Sequence, residues 1–196
     1  VAQEKMKGQE VVEEKALAKI KDKWIFNSYQ SQSEENTATQ RAEGMVKTYV
    51  KWEKETKNEL VGLEVPFDVK IGDITFTGRI DRLEKNPDGK YEVVDFKSGK
   101  TVKSKNKAKI DPQLNIYAKA VEKLKGELPV KASLFYVEKD KMVEYPVTEE
   151  SVNETVNTII DMAKEILLEN FDATPSYNAC MFCSYQSICD AKVTEE

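Results

Sequence analysis

A chain of 196 residues, 40% apolar and 33% charged, has enough material for one domain with a buried core. No apolar run approaches the roughly 20 residues of a membrane-spanning helix, and the start lacks the charged, apolar and small-residue order of a secretory signal. The net charge of −5 argues against a protein that holds nucleic acid through overall positive charge. Salt screens charges beyond about 10 Å, however, so local distribution matters more than the sum. The chain opens on Val1 in a charged, helix-forming stretch, which we read as a piece of a longer polypeptide.

In chain order, Val12, Ala16, Ile20 and Trp24 recur every four residues and predict an amphipathic helix from about Gln9 to Trp24. Asn27 to Thr37 reads as a polar loop. A second helix is expected from about Thr39 to Asn58, with Ala42, Met45, Val46, Tyr49 and Trp52 on one face. The period then changes to two. Val65, Phe67, Val69 and Ile71 alternate with polar neighbours, as do Ile74, Phe76, Gly78 and Ile80, while Tyr91 to Lys97 is more uniformly apolar and so central. These predict a three-stranded antiparallel meander. Asp111-Pro112 is an N-cap followed by proline at the first helical position, opening a helix to about Lys125. Lys131 to Glu138 is a fourth strand, Lys141 to Val147 a fifth, and 149–170 a long amphipathic helix. The expected fold class is α/β: a helix, the meander, a helix and a strand, with flanking helices and a C-terminal cysteine segment. Residues 1–58 form a helical lead-in, 59–148 the sheet with its helix, and 149–196 the long helix and tail.

The turns set the register. Asn86-Pro87-Asp88-Gly89 suits a type I turn closed by a left-handed glycine, which pairs Asn86 with Lys90 and brings Asp81 opposite Asp95. A tight turn at Gly72-Asp73 pairs Ile71 with Ile74 and brings Glu64 opposite Asp81. Three carboxylates then lie in one row on one side of the sheet, with Lys97 on the same side two residues beyond Asp95. Like charges facing one another destabilise a sheet, so the row calls for a compensating cation, Lys97 or a metal. Hard oxygen ligands of this kind suit Mg²⁺ or Mn²⁺. Taken singly, each acid reads as a solvated surface residue.

The stretches GRIDR at 78–82, DFKSGK at 95–100 and QLNIY at 113–117 resemble, in order and spacing, the motif series of RecB-like nucleases of the PD-(D/E)XK superfamily. The likeness extends through FDATPSYNACMFCSYQSIC at 171–189, similar to the tail of members that carry a 4Fe–4S cluster. The nearest likeness is to nuclease domains fused behind bacterial UvrD/PcrA-like helicases. The resemblance implies a restriction-endonuclease-like core with Asp81, Asp95 and the Phe96 carbonyl as metal ligands and Glu64 as an accessory ligand. It makes Lys97 the residue that orients the attacking water and stabilises charge on the phosphate. Gln113 and Tyr117, one helical turn apart, would meet DNA. The segment 97–109 carries Lys97, Lys100, Lys103, Lys105, Lys107 and Lys109 with no acidic residue. Alone it reads as a solvated loop; leaving the catalytic strand, it is expected to track the DNA backbone.

Cys180, Cys183 and Cys189 are the three cysteines of the chain, and histidine is absent. An odd, clustered set does not read as a disulfide framework but as part of a metal or cluster site in a reducing compartment, here the cytoplasm. Three thiolates do not complete a zinc or iron–sulfur site. The resemblance implies a fourth cysteine and a metal-binding histidine, so either both lie before Val1 or this chain departs from the family pattern. The leading expectation is a Mg²⁺- or Mn²⁺-dependent deoxyribonuclease acting on single-stranded ends beside a helicase. The alternatives are a DNA-binding or structural module without cleavage, and a stand-alone RecB-like exonuclease of the kind that serves CRISPR adaptation.

Overall fold

Turn chemistry shapes the sheet as expected. In the computed structural model, which describes residues 2–8, 10–25 and 29–194, Asn86 N donates to Lys90 O and Gly89 N to Asn86 O, both at 2.9 Å. Gly89 takes φ 76 and Gly72 φ 60, a left-handed backbone that glycine adopts without a Cβ clash. These turns join strands β1 (Glu59–Ile71), β2 (Ile74–Lys85) and β3 (Tyr91–Lys97). From β3 the chain crosses over through helices α4 (Lys105–Lys109) and α5 (Pro112–Lys125) to the parallel strand β4 (Lys131–Tyr136), and the antiparallel β5 (Lys141–Pro146) follows. The sheet order is β1-β2-β3-β4-β5.

Both registers agree with the turn argument from Gly62 onward, where Leu63 pairs with Arg82, Val65 with Ile80, and Arg82 with Val94, while between Leu60 and Gly62 the β1–β2 register shifts by one residue. The paired β2–β3 ladder stops at Arg82 and Val94, however, so Asp81 and Asp95 stand just past it. Glu64, between Leu63 and Val65, has φ 48. A left-handed non-glycine residue inside a strand is strained, and such irregularities bend the strand and increase its twist. Ile80 and Leu83 belong to the same core although strict alternation puts them on opposite faces. The sheet therefore turns over at the level of Glu64 and Asp81.

Among the described residues, three helices precede the sheet: α1 (Ala2–Met6), α2 (Glu13–Lys23) and α3 (Gln32–Glu55). The expected starts at Gln9 and Asn27 lie outside the described residues. Helix α3 begins inside the stretch expected as loop. Ser31 caps it by accepting from Glu34 N at 3.2 Å, and Glu34 and Glu35 suit the positive end of the helix dipole. Apolar periodicity could not reveal it because its first turns are polar all round.

One face of the sheet buries Leu83, Val93, Ala132 and Leu134 in a core with Leu114, Tyr117 and Val121 of α5. Each buried Leu or Val among them contributes about 1.5–3 kcal/mol. The N-terminus of α5 is held by Asp111, whose Oδ1 accepts from Gln113 N and Leu114 N. On the other face, α3 covers Phe96 and Phe135 with Tyr49 and Trp52 in a run of edge and tilted ring contacts.

Residues 1–158 form one compact unit and 159–196 a second, dividing helix α6 (Glu149–Leu167). The first half of α6 buries Ser151, Val152, Thr155 and Val156. The second unit carries the short helix α7 (Tyr177–Met181), capped by Ser176, and a succession of turns. Among the described residues no helix is long and apolar enough to cross a membrane.

Candidate active site

The end of the β2–β3 ladder brings the expected residues together. Asp81, past the last pair, turns its carboxylate onto the neighbouring strand, where Oδ2 accepts from Phe96 N at 3.1 Å. Asp95 is 1% exposed. Its Oδ2 is sealed from solvent, and its partner is the Lys97 ammonium at 2.7 Å. Burial, with the nearby charges of Asp81 and Asp111, pushes the Asp95 carboxyl above its ordinary range in spite of Lys97.

Helix α5 completes this constellation through a directional chain of hydrogen bonds. Lys97 Nζ, a donor only, donates to Gln113 Oε1 at 2.7 Å, so the Gln113 amide nitrogen faces Tyr117 and donates to its hydroxyl at 2.8 Å. The Tyr117 proton is then free to reach Asp81 Oδ1, at a long 3.4 Å. Burial and the Asp81 and Asp95 charges raise the Tyr117 phenol to about 12, so it remains a donor at neutral pH. Gln113 and Tyr117, expected as DNA contacts, are occupied in holding Lys97 and Asp81.

Sequence reasoning missed the support behind the site. Arg82, next to Asp81, is fully buried and grips Glu53 of α3 through Nη1–Oε2 at 2.6 Å and Nη2–Oε1 at 3.0 Å, and Glu84 through Nε–Oε1 at 2.5 Å. Its guanidinium lies 4.7 Å over the Trp52 ring. Burial alone would push Glu53 up, but the Arg82 bonds and charge outweigh it and hold the carboxyl below its usual range. Strand parity gave no signal for Arg82, because alternation breaks between Ile80 and Leu83 and its partner Glu53 lies on another element. Arg41 of α3 was also missed. It donates to Ser98 O at 2.8 Å and pairs with Glu138, tethering the segment that leaves β3.

Three other expectations need correction. Glu64 does not join Asp81 and Asp95, since among the described residues no three His, Cys, Asp or Glu side chains gather where one metal could sit. With left-handed backbone and an exposed side chain, Glu64 instead lines a cavity beside Asp81. The basic strip is not a plain loop: Ser104 caps α4, Ala108 is buried, and Lys103 is taken by Asp111 at 2.5 Å. Lys100, Lys105, Lys107 and Lys109 remain exposed. In the second unit, Cys180 is buried with its Sγ accepting from Val193 N at 3.5 Å, while Cys183 is exposed and Cys189 intermediate. The successive turns of this segment do not gather the three thiols into one site.

Residues 2–190 match the profile of the PD-(D/E)XK nuclease superfamily. The chain belongs to that superfamily. Its mixed α/β core with a five-stranded sheet is the restriction-endonuclease-like core expected of a PD-(D/E)XK protein. A curated relative, the CRISPR-associated exonuclease Cas4 of Saccharolobus solfataricus, is 31% identical over 119 residues, which is 60% of this chain and 53% of the relative. The chain thus spans about half the length of that relative. A solved protein, SSO0001, aligns over 81% of this chain and 72% of its own at 21% identity, with a TM-score of 0.44. The helicase kinship expected from the sequence finds no support in these matches.

PD-(D/E)XK nucleases use divalent metals, and the donor set here suits one. Asp95 Oδ2 is buried beside the Lys97 ammonium, and a carboxylate oxygen so placed keeps a further lone pair that a hard cation can take. Asp81, Asp95 and the Phe96 carbonyl would hold it. An iron–sulfur cluster does not fit in the same sense: three ungathered thiols fall short of four thiolates.

Proposed function

We propose that this chain is a metal-dependent DNA exonuclease that acts on single-stranded ends, of the type the CRISPR-associated relative is named for rather than the helicase-fused type. The observation that carries the reading is the buried Asp95–Lys97 ion pair at 2.7 Å, beside Asp81 at the end of the β2–β3 ladder. Mg²⁺ or Mn²⁺, when bound, supplies Lewis acidity toward the phosphate and lowers the pKa of water.

The chain's own residues do the rest. Lys97, held by Gln113, presents its ammonium where negative charge grows on the phosphate oxygens during hydrolysis. It also orients the water oxygen that forms the new P–O bond as the bond to the leaving oxygen breaks. Tyr117 and Phe96 N fix the Asp81 carboxylate by its two oxygens. The exposed Lys100, Lys105, Lys107 and Lys109 supply a path for the strand through phosphate contacts without base preference.

Asp95→Ala and Lys97→Ala test the assignment. Each is expected to lower Mn²⁺-supported degradation of linear single-stranded DNA by about 10²–10³ or more, the usual effect of losing a transition-state stabiliser, with the circular dichroism spectrum unchanged. Circular single-stranded DNA should stay intact. A near wild-type rate in either variant would remove the catalytic assignment, and cutting of the circle would replace exonuclease with endonuclease.

A further inference from the structure

The fork between β2 and β3 opens a cavity of about 420 Å³ beside Asp81, within the roughly 300–1,000 Å³ range of small-molecule sites. Tyr49, Leu63 and Phe96 with Ala2 of α1 supply apolar wall, Gln3 an amide, and Glu64 and Asp81 carboxylates. A second cavity of about 280 Å³, lined by Met45, Val46 and Val137, shares Tyr49 and Phe96 with it. The two aromatic rings, 5.3 Å apart edge to face, therefore border open space on more than one side.

Charge decides what can enter. A phosphate is repelled by the two carboxylates, while the cation that suits it, Lys97, projects to the other face of β3 by strand alternation. What remains of a nucleotide is its base, neutral and planar. We propose that this cavity receives the unstacked terminal base of the DNA strand, stacked against Phe96 and Tyr49, with the phosphate next to it outside the cavity, at the end of the ladder where Asp81 borders both the cavity and the side of α5. This rests on the nuclease reading above and adds the feature of the substrate that the site would grip. A base can leave its stack cheaply at a single-stranded end and only at a cost inside a duplex, so the pocket would select frayed or single-stranded termini. Stacking tolerates every base because each has a π-face, which predicts little sequence preference.

The test uses single-stranded oligonucleotides carrying 5-iodouracil at one terminus or internally, irradiated with the chain in EDTA so that no cleavage is needed. The terminal label at one end should crosslink to Phe96 or Tyr49, located by mass spectrometry, and the internal label should not. Phe96→Leu, and Leu63→Phe as a cavity-filling variant that leaves the Phe96 ring in place, should each abolish that crosslink. With the wild-type chain and Mn²⁺, an abasic terminal nucleotide should raise KM about tenfold with kcat little changed, consistent with the loss of one stacked base; in Leu63→Phe the difference should vanish. Crosslinking equally from internal and terminal labels, or from neither, overturns the pocket, as does an unchanged crosslink in Leu63→Phe. Specific terminal crosslinking by a chain that cleaves no DNA would support the pocket while removing the nuclease reading, so the two fail separately.

Discussion

Asp95→Asn is expected to abolish cleavage and at the same time to stabilise the fold. Asp95 is 1% exposed, so burial penalises its charged form, and Asp81 and Asp111 press on it with like charge. The Lys97 ion pair offsets this only in part, because the carboxyl remains above its ordinary range. A neutral amide of nearly the same shape removes the desolvation penalty, and Lys97 keeps Gln113 as acceptor at 2.7 Å. Relief of such a functional-site cost commonly amounts to about 0.5–2 kcal/mol, and in a chain of this size each kcal/mol moves Tm by roughly 2–4 °C. The sign with pH follows from linkage. The folded-state pKa lies above the unfolded value of about 3.9, so ionisation weakens the wild-type fold as pH rises from there through the folded value. The stability gap between variant and wild type should be small near the unfolded pKa and complete at neutral pH. Urea melts of both proteins across that window measure it. Saturating Mn²⁺ should invert the order, since a metal present at about 100 times its Kd adds about 2.7 kcal/mol to the wild type and far less to the variant. A variant less stable than wild type at neutral pH without metal would refute the reasoning, and would mean that the Asp95–Lys97 pair is net stabilising.

Two further outcomes follow from the scaffold and the strip. Arg82→Leu strands Glu53 and Glu84 without their buried partner, although Lys5 lies 3.2 Å from Glu53. It should cost about 3–5 kcal/mol in denaturant melts, and a loss below 1 kcal/mol on the same scale would show the network to be replaceable. Changing Lys100, Lys105, Lys107 and Lys109 to Gln should weaken DNA binding for all sequences and lower the log–log salt slope by about one unit for each phosphate no longer neutralised; an unchanged slope in a salt titration would return the strip to a solvated surface.

Much of the fold could be read before any coordinates because its signals are local. Asn86 to Gly89 and Gly72-Asp73 specify turns by their own chemistry, and turns transmit register along both strands, so the pairing of Arg82 with both Leu63 and Val94 followed from arithmetic on residue numbers. Asp95, Lys97 and the Gln113–Tyr117 pair were visible for the same reason. What stayed hidden depends on departures from regularity. Nothing in Leu63-Glu64-Val65 announces a left-handed residue, because glutamate rarely adopts that backbone, yet that residue parts Glu64 from the other two acids. Arg82 looked like a surface residue since arginine is seldom buried, and its partner Glu53 lies on a different element. Lys103 looked free because Asp111, which takes it, had already been assigned as a helix cap. The start of α3 was lost because a polar first turn carries no apolar period.

The same irregularity that defeated the periodicity argument accounts for the placement of the site. A regular β2–β3 ladder would pair Phe96 N with a backbone carbonyl and carry Asp81 and Asp95 directly opposite each other, two like charges in the closest cross-strand position. Ending the ladder at Arg82 and Val94 relieves that repulsion, and Asp81 itself satisfies the Phe96 N–H that the ladder abandons. The carboxylate is thereby fixed by a backbone donor on one oxygen and by the Tyr117 hydroxyl on the other. Such a fork could fray, and the buried Arg82 clamp to Glu53 and Glu84 begins at the residue where pairing resumes. A strained strand, an abandoned ladder bond and an underpaired buried acid would each be a defect in a protein selected for stability alone. Arranged around one point and braced from behind by a buried ion pair, they leave two carboxylates and an ammonium fixed, close together and incompletely neutralised, which is the condition a phosphodiester-cleaving centre requires.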